Sequence, residues 1–78
     1  MPQKSDAPWA RIGGPGDLGT FLREIRLQAD LTQEDLAESI GADRRFVHQV
    51  ETGQSPLYTM RLFALLRELG VELQVHVR

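Results

Sequence analysis

The sequence predicts a compact, mainly α-helical domain of four helices that ends in one β-strand. The chain has 78 residues, enough for one small domain and little more. Residues 32–53 carry two short amphipathic patterns on either side of a glycine, which indicates a helix, a turn and a second helix. Residues 71–78 alternate strictly between apolar and polar side chains, as strands do. These patterns divide the chain into a flexible arm at 1–16, a helical domain at 17–70 and a terminal strand at 71–78.

The composition narrows the class of protein. The chain lacks cysteine, so neither a disulfide nor a thiolate metal site is available. A net charge of −2 is unlike a generic basic nucleic-acid coat, so the placement of positive charges matters more than their sum. No apolar run approaches the roughly 20 residues of a membrane span, and no secretory signal begins the chain. We therefore expect a cytoplasmic protein with no membrane partner.

The first sixteen residues contain three prolines, three glycines and no periodicity, which predicts an irregular, flexible arm. Trp9 is expected to rest on the surface of the domain. The alternative is an arm that contacts DNA through Lys4 and Arg11, or a partner through Trp9.

The first helix is predicted over residues 17–28, with Asp17 as its N-cap. Its buried stripe is formed by apolar side chains at helical spacing, namely Leu18, Phe21, Leu22 and Ile25.

The helix, turn and helix of residues 32–53 have clear boundaries. Thr32 is a good N-cap, and Asp35 three residues later forms a weaker version of the capping box. Gly41 supplies the left-handed residue of the turn, Asp43 caps the second helix, and Gly53 ends it.

The fourth helix, over residues 57–69, is apolar on most of its sides, and such a helix is buried on most sides. We predict that one side faces the core through Leu62, Leu65, Leu66 and Leu69. The other side, with Met60 and Phe63, is then predicted to face a second copy of the chain.

The terminal strand presents its apolar side chains on one face, namely Val71, Leu73, Val75 and Val77. A lone strand cannot satisfy its own backbone donors and acceptors. We expect it to pair with the same strand of a second copy, antiparallel across a two-fold axis. The alternatives are pairing with the region of Ile12 in the same chain, or a frayed tail.

The second helix of residues 32–53 carries side chains that suit DNA recognition. Arginine can bond bidentately to guanine and glutamine to adenine, so Arg44, Arg45 and Gln49 are predicted to read bases, together with His48. Phosphate contacts are predicted for four further side chains: Gln33, Thr52, Gln54 and Arg23. The alternative for the two arginines is plain solvation of an exposed helix. Phe46 either packs at the rim of the core, which we favour, or meets a thymine methyl group.

The segment TQEDLAESIGADRRFVHQVETG resembles the helix-turn-helix of the Xre/Cro-like family of phage repressors and bacterial regulators. The shared residues are Thr32-Gln33, Leu36-Ala37, Gly41 and the closing pair of Glu51 and Gly53, which are separated by one variable position. The resemblance implies a compact Cro/C1-type domain that binds double-stranded operator DNA as a homodimer, with Gln33 on phosphate and Arg44, Arg45 and Gln49 on bases. It also implies an ion pair between Arg26 and Glu51.

The strand ending differs from phage repressors, which finish with another helix, and resembles HipB-type antitoxins. This resemblance implies a bacterial, nucleoid-associated repressor of a type II toxin-antitoxin operon that also holds a HipA-like kinase toxin. The alternatives are a stand-alone phage-type repressor and a protein-interaction module that has lost DNA binding. Catalysis is not expected: His48 and Glu51 have a spacing that can bind metal, but there is no second ligand pair, and no cofactor motif is present.

Overall fold

The structure is a computed structural model that describes residues 7–78. Four helices and two short strands follow one another in the order β1 (Trp9–Arg11), α1 (Pro15–Gln28), α2 (Gln33–Ser39), α3 (Arg44–Glu51), α4 (Leu57–Glu68) and β2 (Gln74–His76). The predicted mainly helical class with four helices is therefore confirmed. No helix within the described range is long and apolar enough to cross a bilayer.

Helix α1 begins at Pro15 rather than at Asp17, because proline suits the first turn of a helix, where its missing N–H leaves no bond unmade. The carboxylate of Asp17 accepts a hydrogen bond from the amide of Gly13 at 2.8 Å and so still ties down this end. At the other end Asp30 adopts a left-handed conformation with φ 59°, and the amide of Leu31 donates to the carbonyl of Arg26 at 3.2 Å. These bonds close the helix as a Schellman motif.

The boundaries of α2 and α3 follow the sequence signals. Thr32 Oγ1 accepts from the Asp35 amide at 2.9 Å, and the Asp35 carboxylate accepts from the Thr32 amide at 3.0 Å, which completes a capping box. The Thr32 backbone N–H, followed by the Thr32 hydroxyl, lowers the pKa of the Asp35 carboxyl. Asp43 Oδ1 caps α3 by accepting from the Phe46 amide at 2.9 Å. Gly41 and Gly53 both have positive φ, at 72° and 79°, as turns of this kind require.

Helices α1 and α3 approach each other closely at Gly19. A Cβ at this position would lie 2.7 Å from the carbonyl oxygen of Glu51, and nearer still to that of Val50. The buried apolar core of helices α1 to α3 is small and includes Ala37 of α2 and Val47 of α3.

The apolar faces of α4 are arranged differently from the prediction. Phe63 is only 5% exposed and lines one small cavity with Ile12 and Leu66, whereas Leu65 and Leu69 are exposed. The prediction that Phe63 faces a second copy is corrected, because this side chain belongs to the core of its own chain. When a helix is apolar on two sides, periodicity does not show which side faces the core. In α4 the inward side is the one with Phe63, which lies beside Ile12.

The terminal strand β2 pairs with β1 of the same chain, antiparallel, with Trp9 opposite His76, Ala10 opposite Val75 and Arg11 opposite Gln74. Two further bonds extend the ladder: the Ile12 amide donates to Leu73 at 2.8 Å and the Val77 amide to Pro8 at 3.1 Å. The rings of Trp9 and His76 stack with centroids 5.9 Å apart.

This sheet is the within-chain alternative that the sequence left open, and it places a strand inside the segment predicted to be irregular. Three residues between prolines and glycines are too short a pattern to signal a strand. Within residues 7–78 the sheet has two strands, so the second edge of β2 is not paired in it. Lys4, the other arm residue considered for DNA contact, lies outside the described residues.

Candidate nucleic-acid interface

Helix α3 presents its polar residues outward from a fixed base. Arg44, Arg45 and His48 are exposed and Gln49 is half-buried, while Val47 is buried on the opposite side. Residues three and four apart lie on one face of a helix, so Arg45, His48 and Gln49 form one surface. The predicted base-reading residues therefore share the outer side of one helix, with both arginines in its first turn.

A buried ion pair holds the end of α3. Arg26 Nε lies 2.6 Å from Glu51 Oε2, and Arg26 Nη2 donates to Glu51 Oε1 at 3.0 Å. The third nitrogen, Nη1, donates to the carbonyl of Leu31 at 2.7 Å. The two side chains are 8% and 2% exposed. The pair implied by the family resemblance is present, and it joins α1, α3 and the turn before α2.

Gln33 has a role that the sequence did not indicate. Its Nε2 donates to Glu51 Oε1 at 3.0 Å, so the side chain predicted to touch phosphate also braces the ion pair. Gln33 begins α2, and Glu51 ends α3, so this bond links the two helices. No local pattern connects residues this far apart in the chain, so only the folded structure could show the bond.

The charge state of this network follows from its hydrogen bonds. The bonds from Arg26 hold the pKa of the Glu51 carboxyl below its usual value; burial opposes this, and Gln33 and the charge of Arg23 reinforce it. The bond to Glu51 likewise raises the pKa of Arg26. The network is therefore ionised at neutral pH, with the positive and the negative charge compensating each other.

An open cleft of about 570 Å³ lies beside this network, between the end of α1 and the starts of α2 and α3. Gln33 and Arg44 both line it, so the structure brings one predicted phosphate contact and one predicted base contact to the same opening. Asp30 and Glu34 line it too, which makes the cleft mixed in charge rather than uniformly positive. Any positive potential here is therefore local to the arginines of α3.

The remaining predicted contact residues are spread around this surface. Arg23 and Gln54 are exposed. Thr52 is exposed as well, but its hydroxyl donates to the carbonyl of His48 at 2.9 Å. In this rotamer the hydroxyl oxygen is only an acceptor, so the side chain has no donor for a phosphate. Phe46 is half exposed and lines an apolar groove with Val50, so it lies at the rim of the core.

The chain is similar in sequence to known helix-turn-helix proteins. A family model of the helix-turn-helix domain matches residues 17–77. A propionyl-CoA carboxylase regulator from Cereibacter sphaeroides is 37% identical over 54 residues, which are 69% of this chain but 12% of that protein. The uncharacterized HTH-type transcriptional regulator y4mF from Sinorhizobium fredii is 29% identical over 65 residues, 83% of this chain and 86% of that protein. No solved structure is significantly similar.

Proposed function

Because the chain belongs to the helix-turn-helix domain family, we propose that it is a sequence-specific DNA-binding transcriptional repressor that acts as a homodimer. The observation that carries this proposal is the exposed row of Arg44, Arg45 and His48 on a helix whose far end is fixed by a buried ion pair. A rigid helix with long donors in its first turns is what the major groove admits.

In this proposal the start of α3 enters the major groove. Arg44 and Arg45 bond to guanine O6 and N7, Gln49 bonds to adenine, and His48 contacts the adjacent base edge. Phosphates are bound by the exposed side chains of Arg23 and Gln54, and by Gln33 together with the amides at the start of α2. Thr52 joins them only if its hydroxyl rotates away from the carbonyl of His48.

The proposed homodimer is supported by the second edge of β2, which has no strand beside it within residues 7–78. Pairing this edge with its counterpart in a second copy would continue the sheet across a two-fold axis, with Val71, Leu73, Val75 and Val77 on the joined strands. Met60, which is exposed on α4, is the remaining helical residue of the predicted interface. Two reading helices about 34 Å apart would then recognise a near-palindromic operator.

Deleting residues 71–78 tests the strand part of the dimer. Self-association and operator affinity should then weaken together, as measured by sedimentation equilibrium and fluorescence anisotropy. A truncated chain that stays a tight dimer with full DNA affinity would remove β2 from the interface.

The DNA proposal itself is tested by selection from a library of duplexes with a random core. We expect enrichment of a near-palindromic site, bound with an affinity that falls steeply with salt because phosphate neutralisation releases counterions. Recovery of no common sequence, or an affinity independent of salt, would contradict the proposal.

An antitoxin function is the finer form of this proposal. It is supported by the resemblance to HipB-type antitoxins and by the helix-then-strand ending. Its test is the product of the neighbouring reading frame: if that frame encodes a HipA-like kinase, co-expression should yield a complex and relieve growth inhibition. A kinase whose toxicity is unchanged by this chain would leave the repressor function standing alone.

A further inference from the structure

Helix α4 carries an apolar stripe that its own chain leaves in solvent. The stripe consists of Tyr58, Leu62, Leu65 and Leu69, whose spacing of four, three and four puts them on one face. Tyr58 is 79% exposed and Leu65 54%. From its first to its last residue the stripe runs about 16 Å at 1.5 Å per residue. Apolar side chains exposed as a continuous row mark a contact surface rather than scattered surface residues.

The same chain carries an apolar groove. It lies between α1, α2 and α3, has a volume of about 300 Å³, and is lined among others by Leu22, Ile25, Leu36, Ile40, Phe46 and Val50. Arg26 and Glu51 also border it, but they satisfy each other as an ion pair. The groove therefore suits an apolar occupant, because its lining has few hydrogen-bonding groups left for a polar ligand.

The α4 of the same chain cannot fill this groove while it keeps its present contacts. Phe63, about 100° round the helix from Leu62, is buried beside Ile12. Near the C-terminal end of α4, Arg67 Nη1 donates to the carbonyl of Gly13 at 3.1 Å. Turning the stripe inward would expose Phe63 and break this bond, so the α4 of the same chain is not the occupant in this arrangement.

We propose that the stripe of one copy lies in the groove of a second copy, and reciprocally. This inference rests on the proposed homodimer and names the helical part of its interface. A second copy is the fitting occupant because each chain offers one convex and one concave apolar surface, and a two-fold axis satisfies both at once. A different partner would cover one of the two surfaces and leave the other in water.

The arrangement links dimerisation to DNA reading. Phe46 and Val50 of the groove lie on α3, on residues neighbouring Arg45 and Gln49. The helix that reads DNA is thus packed on its inner flank by the second copy. A chain that cannot dimerise would lose this support as well as the second half-site.

Engineered cysteines give a direct test, since the natural chain has none and every disulfide would be assignable. Leu65→Cys and Ile40→Cys are made in separate chains, refolded together and oxidised. The mixture should form a covalent dimer far faster than either variant alone. Equal cross-linking of Leu65→Cys with itself would show stripe against stripe, and absence of any cross-link, with both thiols reactive to a maleimide, would show no contact; either result overturns the proposal.

A double variant with both cysteines in one chain distinguishes packing between two chains from packing of α4 into its own groove. At low protein concentration a disulfide within one chain would show that α4 enters its own groove, which would also overturn the proposal. Cross-links only between chains support it.

Charge insertion tests the same surface without cysteines. Leu65→Glu should weaken self-association at least tenfold, whereas Ala64→Glu, exposed on a different side of the same helix and outside both the stripe and the predicted interface, should change it less than twofold. Circular dichroism of both variants checks that α4 still folds. If Leu65→Glu leaves the dimer as tight as Ala64→Glu does, the stripe is not the interface, while the proposed DNA-binding homodimer survives.

Discussion

Helices α1 to α3 form one half of this chain, and α4 with the two-stranded sheet forms the other. Different kinds of contact stabilise each half internally. Helices α1 to α3 are joined by a buried polar network of Arg26, Glu51 and Gln33 and by the close approach at Gly19. The half made of α4 and the sheet has one buried apolar contact region, around Ile12 and Phe63, and leaves much of its apolar surface in solvent. Directional bonds therefore fix the half that is proposed to read DNA, and the other half carries the exposed stripe that is proposed for association.

The two halves have different requirements for the accuracy of side-chain placement. A reading helix has to hold its donors in a fixed register with base edges, and hydrogen bonds of defined geometry achieve that. An association surface needs mainly area and shape. If the polar network stabilises helices α1 to α3, its removal should cost more stability than any change in the turns.

Breaking the ion pair should have the largest effect. Glu51→Ala leaves the Arg26 guanidinium buried without its partner, so we expect a loss of about 3–5 kcal/mol in the free energy of unfolding. Urea denaturation followed by circular dichroism measures it. The double variant Arg26→Met/Glu51→Leu removes both charges and should recover most of the loss; an equally unstable double variant would show that the packing, not the uncompensated charge, was responsible.

Filling the close contact between α1 and α3 should come next. Gly19→Ala places a methyl group against the carbonyls of Val50 and Glu51, and the forced separation should cost about 3 kcal/mol. Gly16→Ala on the same helix is the matched control, since a Cβ there meets nothing within 4 Å. Thermal unfolding of the two variants compares them, and equal stabilities would contradict the close packing.

Acid should remove part of the stabilisation given by the ion pair. The folded-state pKa of Glu51 is depressed, so its contribution is complete above the unfolded pKa of about 4.3 and disappears as pH falls through the lower folded value. We expect unfolding free energy to drop on acidification below pH 5, and Glu51→Gln to flatten that drop. Asp35, whose pKa is also lowered, leaves a residual slope. A Glu51→Gln profile parallel to that of the unchanged chain would remove Glu51 from the linkage.

The smallest effect is expected at the end of α1. Asp30 holds a left-handed φ of 59°, a conformation that glycine adopts without strain. Asp30→Gly should stabilise the chain by up to about 1 kcal/mol. Gly41, with φ 72° at the end of α2, gives the opposite control, since Gly41→Ala should destabilise it by a similar amount. The midpoints of chemical denaturation compare the stabilities of both variants with that of the unchanged chain. A destabilised Asp30→Gly would show that the Asp30 carboxylate stabilises the fold by more than the backbone strain costs.

The sequence predicted the parts of the fold that depend on local signals. The capping box of Thr32 and Asp35, the left-handed Gly41 and the cap at Asp43 each involve residues within a few positions of one another. Such contacts leave a readable pattern because their spacing is set by helix geometry.

The parts that escaped prediction depend on distant residues. Strand β1 pairs with a segment at the other end of the chain, and only that pairing makes three residues into a strand. Phe63 is inward because Ile12 reaches α4, and Gln33 bonds to Glu51 across two helices. Among the candidate site residues, spacing placed the arginines of α3 correctly on its exposed first turn, but could not show that Gln33 braces the ion pair.

Arg44 and Arg45 are proposed to read bases rather than to supply charge alone, and lysine substitution separates the two roles. Binding to the selected duplex and to a scrambled duplex is measured by fluorescence anisotropy for the unchanged chain and for Arg44→Lys/Arg45→Lys. Lysine keeps the charge and loses the bidentate bond, so the preference for the selected duplex should fall at least about tenfold, about 1–3 kcal/mol for each lost pair, while binding to the scrambled duplex stays similar. An unchanged preference in the lysine variant would contradict the assignment of these two residues to base recognition.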